Sequence, residues 1–276
     1  MTTSTEKPLV YENPEIDSQK PGTTVTLPYG HGPLPEELKN KKIFFFDIDN
    51  CLYKRSTKIH DMMQVKIHNY FKQNLQLNDE EAHELHMNYY KTYGLALEGL
   101  VRNHQVDALE YNSQVDDSLD LKSVLGYNDE LRNMIIKIKE SHHYDVLWLI
   151  TNAYKNHALR VISFLGLGDL FDGLTFCDYS EIPIICKPMD EFFFRCLDTV
   201  QVDAKDPAAL WQLSFVDDSE INVKAAFDLG FGSVYHYVEV EKEYEQLKQK
   251  EDYLTYYEGD RRIVVLRDIL ELLKYA

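Results

Sequence analysis

The sequence predicts an α/β protein, a doubly wound parallel sheet that carries a large helical insertion. Three observations lead to this prediction. From Ile43 onward, short apolar segments alternate with segments of helical periodicity, as parallel strands alternate with crossover helices. Acidic or polar residues directly follow several of the apolar segments. About 100 residues separate the first apolar segment from the second, more than a single crossover helix needs.

Residues 1–40 precede the first predicted strand. This segment is polar, rich in proline and glycine, and has no sustained period of 2 or 3.6 residues, so we interpret it as a flexible arm. It has no apolar stretch of the kind found in secretory signals. No apolar run in the chain approaches the roughly 18 residues of a membrane span.

Five apolar segments are predicted strands of one sheet, and a sixth candidate lies near the C-terminus. They are 43–47, 146–150, 174–177, 213–217, 233–237 and 263–265. Helices are predicted between them, because apolar residues recur at helical spacing over 131–138 and over 158–165, where Gly166 gives a C-terminal signal. A closing helix is predicted around 269–273.

Residues 55–140 form the predicted insertion. They are rich in tyrosine, histidine, methionine and leucine, and runs that begin at Val65 and Ala82 have helical spacing. We therefore predict a helical cap domain over 55–140. Residues 41–54 and 141–276 then form the α/β core.

The first strand ends at two acids, Asp47 and Asp49, which Asn50 follows. Open α/β sheets bind their ligands at the carboxyl ends of the strands. Two carboxylates in this position repel each other unless a cation lies between them, and oxygen ligands suit a hard metal such as Mg²⁺. The alternative is a strand that ends in a solvated Asx turn.

Three later segments place further reactive groups in similar positions. Thr151 and Asn152 follow the second predicted strand, and Asp217 and Asp218 end the strand 213–217. Lys187 lies in a loop where the following proline prevents a helix from continuing. Each motif alone has a structural alternative, namely a strand-end threonine, a solvated lysine and a helix N-cap.

This order of acid pair, hydroxyl, lysine and acid pair resembles the four motifs of the haloacid dehalogenase (HAD) superfamily. The amino-acid sequences of residues 45–53, 151–157 and 171–179 resemble those of the fungal pyrimidine 5′-nucleotidase subfamily. The likeness runs from about Lys41 to the C-terminus, although Cys51 stands where the superfamily usually has threonine or valine. It implies a HAD-like core with a helical cap of the first class, C1.

The resemblance also implies roles for the acidic residues. Asp47 would be the nucleophile and would form an aspartyl-phosphate. Asp49 would be the acid and base, and its backbone carbonyl would bind the metal. Asp218 would complete the Mg²⁺ shell. Asp217 would bind the metal directly or through water, or would hold the residues that bind it.

The remaining site residues would hold the substrate. Thr151, Asn152 and Lys187 would bind the phosphate oxygens, and Lys187 would also keep Asp47 ionised. Aromatic residues of the insertion could stack on a base. Tyr93 and Arg102 are the cap residues that we expect nearest the nucleoside, although packing within the cap is the alternative.

These features predict a Mg²⁺-dependent 5′-nucleotidase, a hydrolase of phosphoric monoesters that favours the pyrimidine mononucleotides UMP and CMP. One alternative is a phosphatase for lysophosphatidate or a sugar phosphate. A dehalogenase is disfavoured, because dehalogenases lack an acid at the position of Asp49. A catalytically silent binding protein is the alternative from another class.

Composition limits partners and compartment. The formal charge of −17, from 29 basic and 46 acidic residues, disfavours nucleic-acid polymers and anionic membranes, but not a small mononucleotide. Four cysteines without a CxxC pair indicate buried free thiols in a reducing compartment, which predicts the cytoplasm, with the nucleus as the alternative. A catalytic thiol at Cys51 is disfavoured, since the aspartates explain the site without it. The sequence does not indicate an oligomeric state.

Overall fold

The structure is a computed structural model that describes residues 10–17, 19–28, 41–250, 253–254 and 263–275. Its strands are β1 (Tyr11–Glu12), β2 (Thr24–Val25), β3 (Ile43–Phe46), β4 (Val146–Thr151), β5 (Gly173–Phe176), β6 (Leu213–Asp217), β7 (Ser233–Tyr237), β8 (Tyr253–Leu254) and β9 (Ile263–Leu266). Its α-helices are α1 (Ile59–Leu75), α2 (Asp79–Tyr93), α3 (Ala96–His104), α4 (Ala108–Gln114), α5 (Asp129–Glu140), α6 (Lys155–Leu165), α7 (Asp190–Thr199), α8 (Pro207–Leu210), α9 (Glu220–Leu229) and α10 (Glu241–Leu247). Short 3₁₀ helices cover Arg55–Thr57, Leu121–Ser123 and Ile269–Lys274.

A seven-stranded sheet forms the centre of the molecule, with strand order β5-β4-β3-β6-β7-β9-β8. Every neighbouring pair in it is parallel. The α/β class and all six predicted strands are confirmed to within a residue. The strand order reverses direction at β3, which is the place where open parallel sheets form a ligand crevice.

The register of the central strands brings their carboxyl ends together. Phe46, the last residue of β3, pairs with Leu149 of β4 on one side and with Val216 of β6 on the other. Asp47 therefore emerges from the sheet edge level with Asp217, between the ends of β4 and β6. The sheet itself positions the groups that the sequence places after each strand.

Aromatic side chains fill both faces of the sheet beside β3. On one face, Phe45 lies 5.8 Å from Phe231, which also packs on Phe193 of α7 and on Phe215. On the other face, the rings of Phe44 and Phe46 lie 4.1 Å apart. Because strand side chains alternate between faces, an unbroken apolar strand such as β3 has to be covered on both sides.

The predicted insertion is helical, and α1–α4 pack on one another as its four helices. Asn78 begins α2 with a capping box, in which it accepts from the Glu81 amide while Glu81 accepts from the Asn78 amide. Gly94 ends α2 with a φ of 80°. A Cβ at Gly94 would lie 2.5 Å from the Lys187 carbonyl oxygen, so glycine permits the close approach of this helix end to the lysine loop.

The predicted cap boundary at residue 140 lies too far along the chain. Helix α5 belongs with the core, because Arg132 donates to the Gly166 carbonyl and Lys139 donates to the Leu170 carbonyl. Its buried residues Met134 and Ile138 face the core as the helical spacing predicts. The insertion that packs as a separate helical layer is α1–α4, residues 59–114.

The predicted flexible arm over residues 1–40 is wrong for the part that the structure describes. Strands β1 and β2 form an antiparallel pair, and Val25 and Leu27 are buried. The Thr26 amide donates to the Gly168 carbonyl at 2.9 Å, and the Leu174 amide donates to the Pro28 carbonyl at 3.0 Å. Residues 1–9, 18 and 29–40 of that prediction lie outside the described residues.

Candidate active site

Three carboxylates converge at the reversal point of the sheet, and we call them the acid cluster. Asp47, Asp217 and Asp218 each offer an oxygen, and these oxygens all lie within 4.8 Å of one another. Asp217 is completely buried and Asp47 is only 5% exposed. Carboxylates at this separation in a dry site destabilise one another strongly unless positive charge is present.

Lys187 provides positive charge to the acid cluster. Its Nζ donates to Asp47 Oδ1 at 2.6 Å, to Asp217 Oδ2 at 2.6 Å and to the carbonyl of Ile150 at 3.2 Å. The side chain is almost completely buried, which lowers the pKa of a lysine, but the two carboxylates outweigh burial and raise the pKa of Lys187. Lys187 is therefore a fixed cation between two strand ends.

Asn152 holds the backbone of Lys187 in place. Its side-chain oxygen accepts from the Lys187 amide at 2.7 Å, and its Nδ2 donates to the Lys187 carbonyl at 2.8 Å. Both ends of the Asn152 amide are thereby engaged. This residue was predicted as a substrate ligand, but the structure places it as the residue that positions the lysine.

Asp217 is saturated with hydrogen bonds inside the protein. Oδ1 accepts from the Ser219 amide at 2.8 Å, and Oδ2 accepts from Lys187. Asn222 Nδ2 lies within 3.2 Å of both oxygens. Asn222 was not predicted, although its position in the first turn of the helix that follows Asp217 makes the contact a local one. Asp47 and Asp218 are the members of the cluster with oxygens left for a ligand.

The acid cluster carries more negative charge than Lys187 balances. Burial raises the pKa of Asp47, and the neighbouring Asp217 raises it further, despite the opposing effect of Lys187. Burial and Asp217 likewise raise the pKa of Asp218 to about 8. Three carboxylates beside one lysine leave an excess of negative charge, which an added hard cation would balance. The carboxylate oxygens of the site are ligands that fit Mg²⁺.

The Asp49 carboxylate has different partners and does not belong to the acid cluster. Its Oδ1 accepts from the Tyr53 hydroxyl at 2.7 Å and contacts His157 Nε2 at 2.8 Å. Thr151 Oγ1 lies 3.4 Å from its other oxygen. Burial raises the pKa of Asp49, but the charge and hydrogen bond of His157, with the Tyr53 hydroxyl, outweigh burial and lower it.

His157 is a site residue that the sequence reasoning missed. It is completely buried, and Asp49 raises its pKa against the opposing effect of burial. Its Nδ1 has no hydrogen-bond partner among the described residues. The signal was available, because a residue in the first turn of α6, just after the end of β4, must return to the same sheet edge as Thr151.

The two predicted nucleoside contacts in the cap have structural partners. Arg102 Nε donates to Glu98, a completely buried carboxylate whose other oxygen accepts from the Ile184 amide at 3.0 Å. The guanidinium of Arg102 also lies 5.4 Å from the centre of the Tyr93 ring. The backbone carbonyl of Tyr93 accepts from Cys186 Sγ at 3.4 Å. Tyr93 and Glu98 thus join the cap to the loop that carries Lys187, and Arg102 contacts both of them within the cap.

Tyr90 is the cap residue that the structure places against the acid cluster. Its hydroxyl lies near the side chain of Ser219, next to Asp218. Burial raises its pKa, and the charges of Asp218, Asp217 and Asp47 raise it further. The ring is 41% exposed, so part of its face is available to a ligand. The sequence offered three neighbouring tyrosines here without a reason to prefer this one.

All four cysteines are free and buried, as predicted. Burial raises the pKa of Cys51 well above its ordinary value, and the charge of Asp47 adds to the shift. A thiol with a raised pKa is a poor nucleophile, because the thiolate is the reactive form. The raised pKa of its thiol therefore disfavours Cys51 as a nucleophile.

The fold and this set of motifs define the class of protein. The chain belongs to the haloacid dehalogenase-like hydrolase family, which it matches over residues 41–230. It is accordingly a hydrolase of the phosphatase type. No helix within the described ranges is both long enough and apolar enough to cross a membrane.

Individual proteins are similar to this chain over more residues than the family match covers. Phosphate metabolism protein 8 of Saccharomyces cerevisiae is 39% identical over 258 residues, which cover 91% of this chain and 77% of that protein. A HAD-like hydrolase of Xanthomonas campestris has a solved structure with 12% identity and a TM-score of 0.47, covering 89% of this chain and 95% of its own. The L-2-haloacid dehalogenase of Xanthobacter autotrophicus has 15% identity and a TM-score of 0.46, covering 85% and 98%.

Proposed function

We propose that this protein is a Mg²⁺-dependent 5′-nucleotidase that hydrolyses pyrimidine nucleoside monophosphates to nucleoside and phosphate. The observation that carries the proposal is Lys187, which bridges Asp47 and Asp217 at 2.6 Å each while Asp218 completes the acid cluster. A nucleophile, a fixed cation and spare carboxylate oxygens at one sheet edge are the requirements of phosphoryl transfer. The preference for pyrimidine rests on the resemblance of residues 45–53, 151–157 and 171–179 to the fungal pyrimidine 5′-nucleotidases.

Asp47, Asp218 and the backbone carbonyl of Asp49 would hold the metal. Asp217 supports the site from behind, because its oxygens are engaged by Lys187, Ser219 and Asn222. Bound Mg²⁺ supplies positive charge that keeps Asp47 ionised and offsets the charge of the phosphoryl oxygens. Thr151 and the backbone amides beside it would bind those oxygens, and the Lys187 ammonium, whose three donors already have acceptors, would attract them by its charge.

Asp47 and Asp49 divide the reaction between them. A carboxylate oxygen of Asp47 forms a bond to phosphorus, the bond from phosphorus to the 5′-oxygen breaks, and an aspartyl-phosphate remains. His157 holds the proton of the Asp49–His157 pair, and Asp49 passes that proton to the departing oxygen. Asp49 then takes a proton from water as the water attacks phosphorus, which releases phosphate and restores Asp47.

The second candidate is a phosphatase for another small phosphomonoester, such as a sugar phosphate or lysophosphatidate. The core chemistry is the same, so the choice depends on the residues around the leaving group. Tyr90 favours a leaving group with an aromatic ring, because this tyrosine is partly exposed and lies near enough to the acid cluster for its charges to raise the pKa of Tyr90.

A phosphate-release screen of the purified chain tests the proposal. Mononucleotides, sugar phosphates and lysophosphatidate are compared with and without Mg²⁺, and UMP and CMP are expected to give the highest kcat/KM. Asp218→Ala is expected to raise the Mg²⁺ concentration needed for half-maximal rate or to abolish activity. Asp228→Ala, an exposed acid at the far end of α9, is the matched control. Equal rates with and without Mg²⁺ would show that the metal assignment is wrong.

A further inference from the structure

A cavity of about 250 Å³ adjoins the acid cluster on the side of β7. Asp218 forms one wall of it, and Arg55, at the junction between core and cap, forms another. The opposite wall is the segment from His236 at the end of β7 into helix α10. A molecule in this cavity therefore lies against Asp218. Asp218 is one of the residues that the proposed function assigns to the metal.

The walls of the cavity are mostly polar. Apolar contributions come from Tyr237, Val238, Val240 and Leu247, and the other lining residues carry charges, amides or an imidazole. A volume of this size is slightly below the roughly 300–1,000 Å³ of typical ligand sites, so it fits a small group. An acyl chain would leave these polar walls without hydrogen-bond partners, which is unfavourable.

His236 contributes an imidazole to the lining of the cavity. The side chain is only 3% exposed, and its Nε2 contacts the carbonyl oxygen of Asp218 at 3.0 Å. No described residue forms a hydrogen bond with its Nδ1. The imidazole therefore adds to the polar character of this wall of the cavity.

The charges of the lining exclude a second phosphate. Four acidic residues face two basic ones. Lys250 is already paired with Glu220 at 2.6 Å. Glu239 accepts from the Ser56 amide, whereas Glu243 is exposed. The remaining field is negative, which repels a leaving group that carries a further anionic group.

We propose that this cavity is the leaving-group subsite and that it takes a small, uncharged, polar group of the nucleoside kind. This assignment rests on the proposed function and deepens it. It rejects lysophosphatidate, because of its acyl chain, and it rejects esters whose leaving group carries a second phosphate. Among the lining residues, Arg55 has N–H donors that can hydrogen-bond to the leaving group.

The first test fills the cavity from its rim with Val240→Trp. Val65→Trp, at an exposed valine of α1, is the matched control. The substrates are UMP and acetyl phosphate, whose leaving group is too small to need the cavity. In Val240→Trp, kcat/KM for UMP is expected to fall by at least about tenfold, mainly through KM, while acetyl phosphate changes by less than about twofold.

The second test concerns charge. Glu243→Lys is expected to raise kcat/KM for uridine 3′,5′-bisphosphate relative to UMP by about tenfold. Glu84→Lys, an exposed glutamate of α2, is the control for the change in total charge. If Val240→Trp hydrolyses UMP as well as the wild type does, the subsite assignment is wrong, but the proposal of a nucleotidase stands. Hydrolysis of acetyl phosphate without any hydrolysis of UMP overturns the nucleotidase, and the nucleoside subsite with it.

Discussion

Asp47 and Asp49 stand two residues apart and have opposite surroundings. Asp47 lies among carboxylates, which raise its pKa, whereas Asp49 faces His157 and Tyr53, which lower its pKa. Pairs of acids whose surroundings separate their pKa values are typical of acid–base catalysis. The sequence predicted both residues, but only the structure shows why the two carboxylates differ.

Asp49→Asn tests the division of roles. We expect the rate on UMP to fall by roughly 10²–10⁴-fold, because its alkoxide leaving group needs a proton. The rate on 4-nitrophenyl phosphate should fall much less, since nitrophenolate leaves without one. Steady-state kcat on the two substrates is the measurement. Equal losses would indicate that Asp49 acts only through its backbone carbonyl.

Asp116 offers a pH-dependent prediction. Burial raises its pKa to about 6, so the folded state favours the neutral carboxyl. This contribution to stability is complete below about pH 4 and is lost as the pH rises through 6. Asp116→Asn should therefore raise the free energy of unfolding relative to the wild type. This gain should be larger at pH 7.5 than at pH 4.5, by up to about 3 kcal/mol.

Urea unfolding at both pH values measures the effect of Asp116→Asn. Asp228→Asn, at an exposed acid, serves as the control. A difference between variant and wild type that is the same at pH 4.5 and pH 7.5 would contradict the assigned protonation.

At the scale of elements, apolar runs and helical spacing were sufficient to predict the sheet and helices α5 and α6. They were not sufficient for the cap boundary, because α5 has the same periodicity whether it packs on the cap or on the core. Contacts such as Arg132 with Gly166 decide that question, and they join residues far apart in the chain.

Arg102 is predicted to stabilise the cap more than it selects substrate. Arg102→Ala leaves the buried Glu98 without its charged partner, which should cost about 1–3 kcal/mol in the free energy of unfolding. Activities on UMP and 4-nitrophenyl phosphate should change in parallel. Urea unfolding is compared with that of Lys91→Ala, at an exposed lysine of α2. Unchanged stability together with a higher KM for UMP alone would restore the predicted nucleoside contact.

At the scale of the whole molecule, the described N-terminal segment is part of the folded core. Its strands are only two residues each, too short for a period to be recognised in a proline-rich sequence. Ser163 of α6 donates to the Thr23 carbonyl at 2.5 Å, and Arg160 donates to Glu15 at 2.8 Å. These are long-range contacts, which composition cannot reveal.

Val25→Ala tests this attachment. Removing two buried carbon atoms should lower the free energy of unfolding by about 2 kcal/mol. Val10→Ala, at a valine that is 54% exposed, should change it by less than about 0.5 kcal/mol. Equal effects of the two substitutions would mean that β2 does not contribute to the core in solution.

The net charge of −17 makes an anionic substrate unexpected for the molecule as a whole. The sheet resolves this conflict locally, because it brings Lys187 and spare carboxylate oxygens for a cation to one edge. The motifs at residues 47, 151 and 217 were predictable because strand ends in a parallel sheet must meet, whereas Lys187 lies in a loop and was predicted from the order of the motifs. Asn222 and Tyr90 were not, because their positions depend on how helices α9 and α2 dock.

The central claim is that Asp47 is the nucleophile. The direct measurement mixes the enzyme with UMP labelled with ³²P, quenches the reaction in acid during turnover, and locates the label by peptide mapping. We predict label on the peptide that contains Asp47, no label in Asp47→Asn, and a loss of at least about a thousandfold in rate, or roughly 4 kcal/mol of barrier. Label on another residue, or substantial activity in Asp47→Asn, would contradict the account.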